Sequence, residues 1–324
     1  MKHRIRAVAL AALTLSAAAC GGDGSSDTSD GGEGFTPEGD VTMVIPFSSG
    51  GGSDLAGRSM AAAIEAAEPD INVNSVNRDG GGGAVGYSFF LGENGNPQFL
   101  LATETSLLAL PIDGGVEFTY QDFTPIMKVA DDYTLMVVPA DAPYETCSDV
   151  AEAGQEGRIV AGIAGRGGVD DIVFNLTEDA TGTTLDRVVF ESGGELIAAL
   201  LGAQIDVASL NPGEVLGQLA SGDLKALCAY SEERYEVEAL ADVPTAAEQG
   251  IDVSFAQFRG VLAPGGITEE ERQYWIDVMT EAVETQEYMD YIEQGSLQSN
   301  ISTGDDFVTY LEENDERLKQ ALAE

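Results

Sequence analysis

The stretch that most constrains the fold is Val41 to Asp54, VTMVIPFSSGGGSD. An apolar run ends in Pro-Phe, a Ser/Gly loop follows, and Ser53 opens an alanine-rich segment with helical spacing. A strand over Val41–Phe47 therefore feeds a tight loop and a helix, the unit from which layered α/β domains are built. Gly50, Gly51 and Gly52 let backbone N–H groups approach a bound group closely. The helix start adds unpaired N–H groups and the positive end of its dipole. Phe47, Ser48, Ser49, Ser53 and Asp54 flank this cradle, which suits a carboxylate or phosphate without any basic side chain. A tight turn with a helix cap, which any strand–helix unit needs, accounts for the loop equally well. The phosphate-loop pattern G-x-x-x-x-G-K-[ST] is absent, and no Lys lies near.

The same alternation continues along the chain. Leu55, Met60, Ala63, Ile64 and Ala67 give the first helix one apolar face, ended by Pro69. Ile71–Val76 is a second strand, leading to a second glycine loop, Asn77-Arg78-Asp79-Gly80-Gly81-Gly82-Gly83-Ala84-Val85-Gly86. Strand patterns recur over Gln98–Thr103, Thr134–Val138, Arg158–Ile163, Arg187–Phe190, Ile205–Ser209 and Leu224–Ala229, with helices between. That alternation argues for α/β layers with mostly parallel sheets, and the length of the chain is enough for two lobes of ordinary size. The end reads as all helix, one segment from a capping box at Thr268–Glu271 through Thr285 and another from Thr303 carrying Phe307, Tyr310, Leu311 and Leu318.

The first twenty residues bear on compartment. Lys2, Arg4 and Arg6 precede a short apolar segment, Ala7–Ala19, too short for the roughly 20 residues a bilayer needs, so residues 1–19 are expected to be a secretory signal. Leu-Ser-Ala-Ala-Ala-Cys resembles the lipobox of bacterial lipoproteins, which implies cleavage before Cys20 and lipid on its thiol. A plain cut after Ala19 is the other reading, and it leaves a lone exported Cys without a role. Residues 20–40, poor in apolar side chains, read as a flexible acidic tether.

With 15 Lys+Arg against 56 Asp+Glu the chain carries −41, and losing the three basic leader residues takes it to −44. Such a surface repels nucleic acid and anionic headgroups. The single His, His3, lies in the leader, which excludes His-based nucleophile systems and His-bearing zinc sites from the remainder. No calcium-loop pattern occurs, so neither metal nor cofactor is expected. Cys147 and Cys228 are left as two thiols in an exported protein. One disulfide is the simplest reading, two buried free thiols the alternative.

Ile45-Pro46-Phe47-Ser48-Ser49-Gly50-Gly51-Gly52-Ser53-Asp54 resembles the P-F-x-x-G-G-x-T/S-D signature of the substrate-binding proteins of tripartite tricarboxylate transporters, the Bug or TctC family. Asn77-Arg78 with Gly80, Gly82, Gly83 and Gly86 is similar to its second loop. Gly193-Gly194-Glu195 through Leu200-Leu201-Gly202-Ala203-Gln204-Ile205-Asp206, Leu224-Lys225-Ala226-Leu227, Asp242–Gly250 and Gly260-Val261-Leu262-Ala263-Pro264 complete a set in family order. Asp79 replaces the family's usual Pro and Ala84 a frequent Asn, the first adding negative charge beside a site meant for anions.

The resemblance implies a two-lobed periplasmic-binding-protein fold of the type II, Venus flytrap kind. One lobe is expected to hold residues 41–138 and 257–324 and the other 139–256, with the hinge near Val137-Val138 and Gln257-Phe258. It further implies a monomeric receptor, tethered outside the cell membrane by lipid, that closes on a small di- or tricarboxylate or related acid and hands it to a permease. Ligand contacts are expected from Phe47–Asp54, Gly82, Gly83 and Thr103 in the first lobe, and from Gly165, Arg166, Gly167, Gly168, Ser209, Asn211 and Gly213 in the second. Arg166 is the candidate partner for a second carboxylate, and Arg78 a support for its own loop. Sensing instead of transport is an alternative. Catalysis by paired acids such as Asp131-Asp132 or Asp170-Asp171 is the weaker one, since adjacent acids are expected on the surface of so acidic a chain.

Overall fold

The computed structural model describes residues 35–322; residues 1–34, with the expected signal and Cys20, lie outside them. The first lobe begins with β1 (Val41–Ile45), α1 (Gly52–Ala67), β2 (Val73–Asn77), α2 (Ala84–Leu91), β3 (Phe99–Glu104), α3 (Ser106–Asp113) and β4 (Phe123–Tyr133). The second takes β5 (Leu135–Pro139), α4 (Cys147–Glu156), β6 (Val160–Ile163), α5 (Val169–Thr181), β7 (Asp186–Val189), α6 (Gly193–Leu201), β8 (Val207–Leu210), α7 (Pro212–Ser221) and β9 (Leu224–Ala229). The chain then returns to the first lobe with β10 (Ala256–Pro264), α8 (Glu269–Ala282), α9 (Gln286–Gly295), β11 (Gln298–Thr303) and α10 (Gly304–Leu322).

One sheet runs β11-β4-β10-β3-β1-β2 and the other β7-β6-β8-β5-β9. The two-lobed layered build matches the expectation, but the sheets are mixed. β1 runs parallel to β2 and β3, and β6 to β7 and β8, whereas β4, β5 and β10 pair antiparallel with every neighbour. The reason is topological: β4, β5 and β10 carry the chain between lobes and enter each sheet against the direction of its βαβ strands.

The ladders change sheet at Thr134 and again before Ala256. Leu135–Val138, assigned from sequence to the first lobe, therefore belong to the second sheet, and Ala256 belongs to the first. The expected all-helical end also contains strand β11 and, after the first helix, a further one, α9, which Thr285 caps by accepting from the Tyr288 N–H.

β1 is buried on both faces, because Tyr87 and Phe90 of α2 pack on the Val44 side while α1 packs on Val41, Met43 and Ile45. Gly57 makes that approach possible, since a side chain there would collide with Ile45. α1 starts at Gly52, capped only by the backbone of Gly51, so Ser53 and Asp54 sit in its first turn and no side chain of its own cap residue satisfies its leading N–H groups.

Cys147, the first residue of α4, is bonded to Cys228 of β9, with 81 residues of sequence separation and Cα atoms 5.9 Å apart. Both are fully buried in the second lobe's core with Val150, Val173 and Tyr230. A loop of that length is worth about 4–5 kcal/mol in the chain-entropy description. Replacing both cysteines by Ala should therefore lower the melting temperature by roughly 10 °C or more. An unchanged melting curve for the double variant would show that the bond contributes nothing.

Candidate functional site

The lobes meet at two glycine loops. Gly82 (φ +64°) and Gly165 (φ +93°) approach so closely that a Cβ on Gly165 would overlap the Gly82 backbone. Beside them lies an inter-lobe cavity of about 50 Å³. Its first-lobe wall is Phe47, the start of α1 (Gly51, Gly52, Ser53), Glu104, Gln257 and Arg259; its second-lobe wall is the starts of α5, α6 and α7 with Ser209. Four helix N-termini thus converge on one small space, each contributing N–H groups and a partial positive charge.

Arg259, 1 % exposed, is the centre of the polar contacts. Its Nη1 donates to Glu104 Oε2 at 2.7 Å and Ser53 Oγ at 3.1 Å. Nε and Nη2 donate to Asp132 Oδ2 at 2.9 and 2.6 Å, and Nη2 also reaches Asn211 Oδ1 across the lobe boundary at 3.2 Å. Ser53 in turn donates to Glu104 at 2.5 Å. Gln257 fits this network with its amide nitrogen toward Glu104 and its oxygen accepting from Arg259 and Asn211. Asp132 Oδ1 is buried without a partner.

The remaining acids answer to helix termini. Glu214, third in α7, accepts from the N–H of Gly52, the first residue of α1 in the opposite lobe, and from Asn211 N at 3.3 Å. Asp170, second in α5, accepts from Ala164 N. Burial pushes Glu214 up to about 7, against the pull of Arg259 and the Gly52 N–H, and pushes Asp170 up to about 7 as well. Burial likewise raises Asp132 despite Arg259. Burial disfavours the charge on Arg259, but Asp132 and Glu104 outweigh that and raise its pKa. A single guanidinium and four sets of N–H donors face four carboxyl groups, which suits an anion of low charge and disfavours a bulky polyanion.

Of the residues singled out from sequence, Phe47, Gly51, Gly52, Ser53, Gly168, Ser209 and Asn211 line the cavity. Ser48, Ser49 and Gly50 are not part of its wall; Ser49 and Gly50 are exposed, and Ser48 donates to Asp79 at 3.2 Å. Asp54 has a scaffolding role: it accepts from Gly50 N, Arg58 and Asn77 and so ties both glycine loops together. Gly82 and Gly83 serve lobe contact and packing against Phe47 and Tyr87, not the cavity wall. Thr103 is buried behind the wall against the Tyr87 hydroxyl at 3.2 Å. Gly165 and Gly167 shape the opposing loop, and Gly213 packs on Gly295. Arg166 is exposed and lines no part of the cavity, because Gly165 and Gly167, both at positive φ, turn the loop so that its backbone faces Gly82. Arg78 lies over the Phe89 ring at 4.6 Å, beside its own loop.

Arg259, Glu104, Asp170, Ser192, Glu214 and Gln257 were not expected. A lone Arg inside an apolar run, Phe258-Arg259-Gly260-Val261, is the signal that marks the first. The Asn-Pro-Gly-Glu capping pattern marks Glu214. Asp132 and Asp170, taken as surface acids, are 3 % exposed each. Among the described residues, no group of three or more His, Cys, Asp or Glu side chains is placed to hold a metal ion.

A profile of the tripartite tricarboxylate transporter family receptors matches residues 76–324. The chain is 26% identical over 242 residues to the UPF0065 protein in the TAR-I ttuE-ttuC' intergenic region of Agrobacterium vitis, covering 70% of this chain and 66% of that relative, just under two thirds of its length. A TctC solute-binding protein from Polaromonas has 26% identity and a TM-score of 0.65, covering 89% of this chain and 99% of the other. MatC from Rhodopseudomonas palustris, solved with bound malate, shares the fold with a TM-score of 0.78 at 19% identity, over 88% of this chain and 99% of its own. The chain belongs to the tripartite tricarboxylate transporter receptor family, whose members are extracytoplasmic solute-binding proteins and not enzymes.

Proposed function

We propose that this protein captures a small organic carboxylate between its lobes and passes it to the permease of a tripartite tricarboxylate transporter. The observation that carries this reading is the convergence of four helix N-termini and Arg259 on one inter-lobe cavity. One ligand carboxylate would take the N–H groups at the start of α1 and the hydroxyl of Ser192, with the hydroxyls of Ser53 and Ser209 turning to it from Glu104 and Thr134. Short-range donors suit a chain whose −41 charge gives an anion no long-range attraction. A cavity of about 50 Å³ holds a carboxyl group and a few waters, so an acid of malate's size would enter as the lobes part about Thr134 and Phe255. Malate bound to MatC makes such an acid the first probe to try. The basic start, apolar run and small residues before Cys20 support secretion as a lipoprotein tethered by lipid on Cys20.

Calorimetry with malate, succinate and acetate tests the site. Ser53→Ala should weaken whichever acids bind by roughly tenfold, the worth of about one hydrogen bond to a charged group. Arg166→Ala should stay within about twofold of the parent protein by the same yardstick. A Ser53→Ala protein of full affinity would move the carboxylate to another place. For the anchor, Cys20→Ser should shift the protein from the membrane to the soluble fraction, and unchanged membrane retention would rule out lipid on that thiol.

A further inference from the structure

The N–H at the start of α1 already has a carboxylate on it, and that carboxylate is the protein's own. Glu214 reaches from the second lobe to Gly52 of the first, while its other oxygen accepts from Asn211 N at 3.3 Å. It also lies against Gly51 and Gly193, so tightly that a Cβ on Gly193 would overlap it. An acid side chain thus sits where the N-termini of α1, α6 and α7 meet, the place the proposed function gives to the ligand.

There is room for it to leave. A second cavity of about 20 Å³ lies behind the first, bordered by Glu214, Gly52, Asp132, Tyr291 and Gly295, and Glu214 faces both. Asp132, which borders this second cavity, carries the buried Oδ1 that lacks a partner. A carboxyl group turned that way with a proton on it would supply the missing donor.

We propose that Glu214 is a built-in occupant of the ligand's carboxylate seat, and that capture is an exchange: the ligand's carboxylate replaces it at Gly52 while Glu214 takes up a proton and turns to Asp132. This rests on the carboxylate-receptor reading above. The groups facing Glu214 agree with the exchange. Arg259 of β10 favours its charge, whereas Asp132 of β4 opposes it. Glu104 of β3 and Asp170 of α5 share the cavity wall, and Tyr291 of α9 borders the space behind. Asp54 of α1 is turned to Arg58, and Glu195 of α6 is exposed and accepts from Glu191 N. With burial lifting Glu214 to about 7, it competes as an anion above that pH and gives way as a neutral acid below it. Carboxylate affinity should therefore rise as pH falls through 7, by about tenfold between pH 8 and pH 6.

Calorimetry with malate, succinate and acetate, run at pH 6 and 8 in buffers of different ionisation enthalpy, counts the protons taken up. For the full-length parent protein the expected result at pH 8 is close to one proton per carboxylate bound. Glu214→Gln keeps a residue that suits the third position of a capping box. It should bind about tenfold tighter than the parent at pH 8, with no proton uptake and a flat pH profile. Glu214→Asp keeps charge and cap, as Asp122 and Asp149 do at the same position of their helices, but is too short for Gly52 and should also gain affinity at pH 8. Weaker binding by both variants would make Glu214 an ordinary ligand contact, and proton uptake surviving in Glu214→Gln would assign the proton elsewhere, Asp170 first. Either overturns the exchange and leaves the receptor reading standing. No carboxylate bound by any of the three proteins, at either pH, would overturn both.

Discussion

A guanidinium buried in the middle of a strand is the constraint on which this structure turns. Taking Arg259 out of water costs several kcal/mol before any partner is counted, and only close, well-directed acceptors repay that. Glu104 and Asp132 provide them from the strands on either side of β10, so three adjacent strands are locked in register by one side chain. Asp132 lies two residues before the first crossing at Thr134, and Gln257 sits one residue into β10 beside the second. The same network therefore stiffens the base of the two crossings and forms the floor of the candidate site. Losing one member of such a group leaves charge stranded in the interior, a cost of about 3–5 kcal/mol, which ties the site's polarity to the stability of the lobe.

In the proposed role a second constraint is that an anion must be held by a strongly negative protein. The overall field repels it, and salt screens that field within about 10 Å, so what remains is local. Backbone N–H groups at helix starts act at contact distance and bring no counter-charge with them. α1 begins on Gly51 and Gly52, and α5 on Gly168, without a side-chain cap, whereas Ser192 and Asn211 cap α6 and α7 at the same cavity. A Ser or Thr cap at Gly51 would satisfy the donors that the cavity needs exposed.

The parts legible in the sequence are those with a period or a punctuation mark. β1 with its glycine loop, the second loop at Gly80–Gly83, the disulfide pair and the second-lobe strands all carry runs or breakers that survive without knowledge of the partner. β4 did not, because Pro125, Lys128, Asp131 and Asp132 interrupt its apolar pattern. In the fold Lys128 is fully buried, paired with Asp131 at 2.7 Å and set over the Tyr310 ring, while Asp132 is matched to Arg259. A charge cancelled from a neighbouring strand, as Asp132 is by Arg259, looks like surface when its own strand is inspected alone. Arg166 failed for the opposite reason: proximity in sequence to a glycine loop says nothing about which way a loop flanked by two left-handed glycines turns its side chain.

The acids in the cleft follow from the same donors as the ligand site. A helix N-terminus does not distinguish a carboxylate that arrives from solution from one carried on the chain, and in a protein with 56 acidic residues the resident groups are always at hand. Asp170 holds the Ala164 N–H of the loop that precedes α5, and Glu214 closes over the starts of α1 and α7. Each such contact steadies a loop, and each also spends a donor that a ligand would otherwise use. Affinity for an external acid is then the difference between two occupancies of one seat. Because Glu214 bridges the lobes, that difference also bears on how readily they part: an acid that replaces it must supply the link between α1 and α7 itself. Reach across the cleft, and not charge alone, becomes the property by which a ligand is selected.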